Sequence, residues 1–236
     1  MKKFLKRIIA AIVIVMLVAV AGIGFAYVIP GYQAYKQAIA NIPIEEKIEA
    51  IRSMENYTKL SDVPKIYKDA VIAVEDHRYY RHGAFSFVSI ARAVRNNIKI
   101  GKAAEGGSTI TQQVAKNLYF EMDKSLTRKF AELFLAVELE KMYSKDEILE
   151  IYLNSIYYGS GYYNIYDASM GYYGVEPKDL TDFQATELAG VPNAPSVYSP
   201  DNNSPLTAQR QQQVLGCMVE YGYLTQKEAD TIANGK

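Results

Sequence analysis

From Ile8 to Val28 the chain runs through 21 residues, IIAAIVIVMLVAVAGIGFAYV, without a single charge. As a helix rising about 1.5 Å per residue, this stretch spans about 31 Å, the hydrocarbon thickness of a bilayer. Cleaved leaders carry a shorter apolar region, usually about 7–15 residues. The AVAG at residues 19–22 imitates a cleavage site, so removal stays open as the lesser alternative. Four cations precede the run in MKKFLKR. Basic flanks remain on the cytoplasmic side, which sends everything after Val28 across the membrane. The expected organisation is a cytoplasmic tail over 1–7, a transmembrane anchor over 8–28, a juxtamembrane linker or helix over 29–54 interrupted by Pro30 and Pro43, and a domain over 55–236.

That remainder is long enough for one domain with a sizeable core. The chain is 49% apolar and 22% charged, which is globular composition. Its formal net charge of zero gives no reason to expect nucleic acid or another polyanion. The single cysteine, Cys217, excludes an intramolecular disulfide and a multi-cysteine zinc site. Its apolar setting in QVLGCMVEY reads as a buried structural thiol.

Periodicity after residue 55 is helical almost throughout, and strand-like alternation is scarce. SDVPKIYKDAVIAVED predicts a helix with Ser61 or Asp62 near the cap, Pro64 in the first turn and its end near Glu75. FSFVSIARAVRNNIKIGK predicts a second helix stopped by Gly101, and AAEGGS a loop from which Ser108 caps STITQQVAKNLYF. In SLTRKFAELFLAVELEKMYS, Phe130, Leu133, Phe134, Val137 and Met142 trace an apolar stripe. Ser144 with Glu147, and Thr225 with Glu228, are capping boxes. Further helices are expected near 164–173, 181–190, 205–220 and 225–234.

One feature resists a purely structural account. AVIAVEDHRYYRHGAF puts the acidic pair Glu75-Asp76 at a helix C-terminus, where the dipole disfavours carboxylates, and places both histidines, His77 and His82, just beyond it. A carboxylate walled by VIAV beside a second acid is also an arrangement suited to a general base. His77 and His82, five apart with no evident third ligand, read as hydrogen-bond orienters rather than metal ligands. GKAAEGGST lacks the strand and the lysine of a phosphate loop. Arg128 and Glu132 share a helix face beside Lys129, and alone they read as a solvated salt bridge.

Together the motifs are far more specific than any one of them. EDHRYYRHGAF, GGSTITQQVAKN, RKFAELFLAVELE and KDEILEIYLN resemble, in order, the signature motifs of the peptidoglycan glycosyltransferases, glycosyltransferase family 51. The resemblance covers about residues 55–225. It implies a mainly α, lysozyme-like helical domain behind an N-terminal transmembrane helix. The chain ends soon after, so the resemblance implies a monofunctional enzyme without the penicillin-binding transpeptidase domain. It departs from the family at Tyr79 (usually Phe), Ala84 and Asn164 (usually Gly), Val175 (usually Lys) and Gln184 (usually Glu). Ala84 matters if its turn needs φ > 0.

By the same resemblance, lipid II and a lipid-linked growing glycan chain are the substrates, Glu75 is the base, and Glu132 acts at the leaving-group side. Asp76, Tyr79, His82, Ser108, Thr109, Gln112, Gln113, Lys116, Asn117, Arg128, Lys129 and Arg210 are the implied substrate-binding residues. No cofactor is required, and a divalent cation (Mg or Mn) is compatible with a departing diphosphate. Cell-wall synthesis and division proteins are compatible partners, and nucleic acid is not. The implied location is the bacterial cell membrane, single-pass, with the catalytic domain outside. The competing readings are a lysozyme-like hydrolase or lytic transglycosylase and an inactive lipid II-binding scaffold. The apolar, aromatic NLYF of NLYFEM is expected either to dip into lipid headgroups or to join the core.

Overall fold

The computed structural model describes residues 2–100, 106–120, 125–202 and 204–235. It contains no strand among these residues, only an isolated bridge between Gly159 and Tyr162. The first helix, α1 (Lys2–Ile23), passes through one π-helical turn, Gly24–Val28, into α2 (Ile29–Asn41). Pro30 therefore does not interrupt the helix as expected. It sits in the first turn of α2, and the widened π-turn ahead of it relieves the clash its ring makes with a preceding carbonyl. Lys6–Asn41 is, among the described residues, the one stretch long and apolar enough to cross a bilayer.

Pro43 does break the chain and starts α3 (Ile44–Arg52). This helix buries Ile44, Ile48 and Ile51 in the core, and Arg52 donates to Glu147 at 3.1 Å. It belongs to the packed unit rather than to a linker. The helix α4 (Lys65–Glu75) follows Pro64, which is its N-cap. Ser61 and Asp62 lie in a preceding 3-10 turn and bond to each other, so neither caps it. Next come α5 (Phe87–Ile100), α6 (Ile110–Tyr119), α7 (Leu126–Met142) and α8 (Lys145–Leu153). Gly101, the expected stop of α5, lies outside the described residues, as do the first residues of the AAEGGS loop. Thr109, not Ser108, caps α6 through a box with Gln112. The Ser144–Glu147 box starts α8 as predicted.

The chain finishes with α9 (Ile165–Tyr173), α10 (Asp182–Gly190), the single turn α11 (Pro195–Tyr198), α12 (Pro205–Glu220) and α13 (Gln226–Asn234), the last behind the predicted Thr225–Glu228 box. Two departures from the family pattern turn out to be caps: Asn164 accepts from the Asp167 N–H, and Gln184 completes a box with Thr181. Ala84 has no positive φ; it is buried and its carbonyl accepts from the Thr109 hydroxyl.

The core forms where α4 packs against α10 and α12, and α6 against α7 and α8. Tyr67 and Tyr158, both fully buried, join hydroxyls at 2.8 Å, and the Asn154 amide bonds both backbone groups of Thr58. On α7 the deepest stripe is Ala131, Leu135 and Leu139 with Glu132 and Ala136, one step round from the one expected. Of the expected residues, Phe134, Val137 and Met142 are half-buried against that core, and Phe134 also meets Tyr32 edge-on and stacks on Tyr35 of α2. The NLYF segment packs inward too. Leu118 is buried, Tyr119 donates to the Ile42 carbonyl at 2.7 Å, and Phe120 lies against the core. Cys217 is half-buried against the same core rather than fully enclosed.

The contact of α2 with α7 depends on one glycine. A Cβ at Gly31 would stand 2.6 Å from Phe130 Cβ and 2.8 Å from the Thr127 carbonyl oxygen. Both belong to the helix that carries Arg128 and Glu132, so nothing there can swing aside cheaply. Gly31→Val is expected to destabilise the protein by about 1–3 kcal/mol through overpacking, read as a lower melting temperature in detergent. An unchanged melting temperature would contradict this packing.

Candidate active site

The acidic pair at the end of α4 divides. Asp76 turns inward and is 3% exposed; its Oδ1 stands 2.7 Å from His82 Nε2 and its Oδ2 accepts the Ile110 N–H at 3.3 Å. A buried carboxylate thus meets the positive end of α6, clamping the end of α4 to the start of α6. His82 Nδ1 lies 2.6 Å from the Gly83 carbonyl, so both ring nitrogens face acceptors. Burial lowers the imidazole's pKa, but the hydrogen bond it donates to Asp76, the Gly83 carbonyl and the Asp76 charge together outweigh it and raise it above 6.5.

Glu75 points the other way, into a cavity of about 630 Å³. Its Oε2 accepts from Gln113 Nε2 at 2.8 Å. Its Oε1 has no hydrogen bond, only Arg210 Nη2 at 3.7 Å. One oxygen is held by Gln113 and the other, buried, has no hydrogen bond. Arg210 is fixed by the Gly190 carbonyl (3.1 Å) and Gln213 (3.2 Å), with its guanidinium 5.7 Å from the centre of the Tyr198 ring. Gly190 permits this approach, since a Cβ there would stand 2.9 Å from Arg210 Cγ.

Across the cavity, Glu132 is fully buried on α7. Lys129 Nζ lies 2.7 Å from its Oε2 and also donates to Ser108 at 2.8 Å. Arg128 Nε lies 3.0 Å from Oε1, an ion-pair contact without the angle of a hydrogen bond. Lys116 lines the cavity, and among the described residues no carboxylate pairs with it. Gln112 also reaches the lining, though its amide oxygen is spent on the Thr109 N–H at 2.9 Å.

Eight predicted residues therefore meet in one cavity: Glu75, Ser108, Gln112, Gln113, Lys116, Lys129, Glu132 and Arg210. Six do not line it. Tyr79 is fully buried and donates to the Lys145 carbonyl at 2.7 Å, under the Lys145 ammonium, so its hydroxyl is held inside the protein and not in the cavity. Asp76, His82 and Thr109 likewise spend their polar side-chain atoms on contacts inside the protein. Arg128 serves Glu132, and the Asn117 amide nitrogen is buried without a hydrogen-bond partner among the described residues. The cavity adds Arg92, Asn193 and Tyr198, which carry no sequence signal beyond lying within helix or motif-like segments.

A family model described as Transglycosylase matches residues 44–219. The chain belongs to the transglycosylase family. It is 45% identical over 172 residues to penicillin-binding protein 1F of Bacillus subtilis, covering 73% of this chain and 24% of that protein. It is 46% identical over 174 residues to penicillin-binding protein 1A of Neisseria flavescens, covering 74% and 22%. This transglycosylase thus spans about a quarter of the length of these relatives. A crystal structure of penicillin-binding protein 1A from Haemophilus influenzae aligns over 76% of this chain and 17% of its own, at 21% identity and a TM-score of 0.45.

Two outcomes follow for this transglycosylase. Glu132→Ala leaves Arg128 and Lys129 facing each other without their buried counter-charge, and is expected to cost about 3–5 kcal/mol in denaturant unfolding; a cost near zero would contradict the pairing. For His82 the folded pKa lies above the ordinary 6.5, so its stabilisation is complete below that value and is lost as pH rises through the folded one. The melting-temperature gap between wild type and His82→Gln should be widest below pH 6.5 and narrow on the alkaline side. A gap that widens with pH would contradict the clamp.

Proposed function

We propose that this transglycosylase polymerises lipid II into β-1,4 glycan strands at the outer face of the bacterial cell membrane. The supporting observation is the set of cations that line the cavity beside Glu75 and Glu132: Lys116, which pairs with no carboxylate among the described residues, with Lys129 and Arg210. Such cations suit a diphosphate, a leaving group that a glycan hydrolase never handles.

In this reading the growing chain, linked through its anomeric carbon to undecaprenyl pyrophosphate, is the donor. The 4-hydroxyl oxygen of lipid II attacks that carbon and its proton passes to Glu75 Oε1. The carbon–oxygen bond to the diphosphate breaks with its electron pair, releasing undecaprenyl pyrophosphate. A single displacement converts an α-linked donor into a β product. Gln113 orients the base, and Arg210 stands 3.7 Å from its other oxygen. Lys116 and Lys129 receive the diphosphate. Glu132, enclosed and paired on both sides, holds Lys129 and Arg128 rather than moving a proton. The apolar helix ahead of the domain keeps enzyme and lipid-borne substrates on one surface, with the N-terminus cytoplasmic.

The test is polymerisation of labelled lipid II by the detergent-solubilised full chain. Wild type should yield a ladder of lysozyme-sensitive polymer, and Glu75→Gln should lower the rate by at least about a hundredfold. Shortening of added glycan without new polymer would overturn the transferase in favour of a hydrolase.

A further inference from the structure

A second cavity, of about 570 Å³, opens on the other side of the residues that follow Glu75. Arg78, Arg81, His77, Tyr80, Tyr221 and Tyr223 line it, and among the described residues no carboxylate does. Among the described residues, neither the Arg78 nor the Arg81 side chain has a hydrogen bond or ion pair. Its walls are nonetheless built. His77 stacks on Tyr221 with ring centres 4.1 Å apart, and the Tyr80 hydroxyl donates to Asp146 at 2.7 Å. Arg92, which lines the catalytic cavity, donates to His77 Nδ1 at 2.9 Å. That contact is the partition between the two cavities, and His77 follows the base by only two residues, at most about 7 Å of chain.

Two guanidinium groups without an ion pair among the described residues, set among tyrosine rings and hydroxyls, recognise carboxylate or phosphate oxygens on a ligand with a broad organic face. A cavity this size is too roomy for a lone ion and suits a ligand of several residues. We propose that it binds the carboxylate-bearing peptide carried by the glycan substrate, with Arg78 and Arg81 taking the carboxylate oxygens. This rests on the transferase reading above. Substrate whose sugar sits at Glu75 would then be held at a second point, and substrates with free and with amidated peptide carboxylates would be told apart.

The experiment compares two lipid-linked disaccharide-peptides, identical except that one has its peptide carboxylates amidated, on the full chain in detergent. Wild type should favour the free carboxylates by about tenfold in kcat/KM, and R78Q/R81Q should lose that preference through KM. Should the double variant lose its helical circular dichroism, Arg81→Gln alone, at an exposed position, should reduce the preference. A wild type indifferent to amidation, or a variant that keeps the wild-type ratio, overturns the inference. So does inhibition by inorganic phosphate that disappears in the variant while the substrate ratio stays, because the site would then serve a phosphate. Failure of wild type to polymerise either substrate overturns the transferase reading itself and is recognised by the absence of any product.

Discussion

Burying a carboxylate charge is costly unless it is paired, and Glu132 has none of its surface exposed. Its charge therefore fixes two cations, Arg128 one helical turn back and Lys129 beside it. Lys129 in turn reaches Ser108, so the start of α6 and the middle of α7 share one ionic junction. The opposite junction is Asp76, which ties the end of α4 to the first turn of α6 and to His82. Between these two inward-facing carboxylates the third, Glu75, is free to face the cavity. The site is thus a consequence of buried charge being satisfied on either side of α6.

The same helix that carries Glu132 receives α2, the continuation of the apolar N-terminal helix, along its other face. Gly31 lets the two backbones approach, and Phe134 fills the space between Tyr32 and Tyr35. One side of α7 therefore faces the anchor and the other the cavity. A displacement of α2 would be felt at Arg128 and Lys129 with only the width of one helix between, about 10 Å.

Helix positions and most caps were legible in the sequence because they are local: Ser144 with Glu147, or Thr225 with Glu228, meets its partner three residues away. The errors arose where distance along the chain hides the partner. Ser108 reads as the cap of α6, and only Lys129, far along the chain, shows that its hydroxyl is spent elsewhere. The stripe on α7 was read one step round because two faces of that helix are apolar, one for α2 and one for the core. Pro30 looked like a break, since a π-turn leaves no mark in composition. Glu75, Gln113, Lys116 and Glu132 were found through motifs, whereas Arg92 and Tyr198 join them only through folding. Tyr79, Asp76 and His82 share a motif with the base, which by itself cannot separate a side chain facing the cavity from one holding it in place.

The central claim is a division of labour: Glu75 moves the proton, and Glu132 holds the cations that receive the diphosphate. The most direct test is the equilibrium affinity of Glu75→Gln and Glu132→Gln for fluorescent lipid II, measured without turnover. Glu75→Gln should bind within about threefold of wild type, because the neutral amide removes the base and leaves the cations in place. Glu132→Gln should bind about tenfold or more weakly, as Lys129 and Arg128 lose their anchor. The reverse order, with affinity lost at Glu75 and retained at Glu132, would contradict the account.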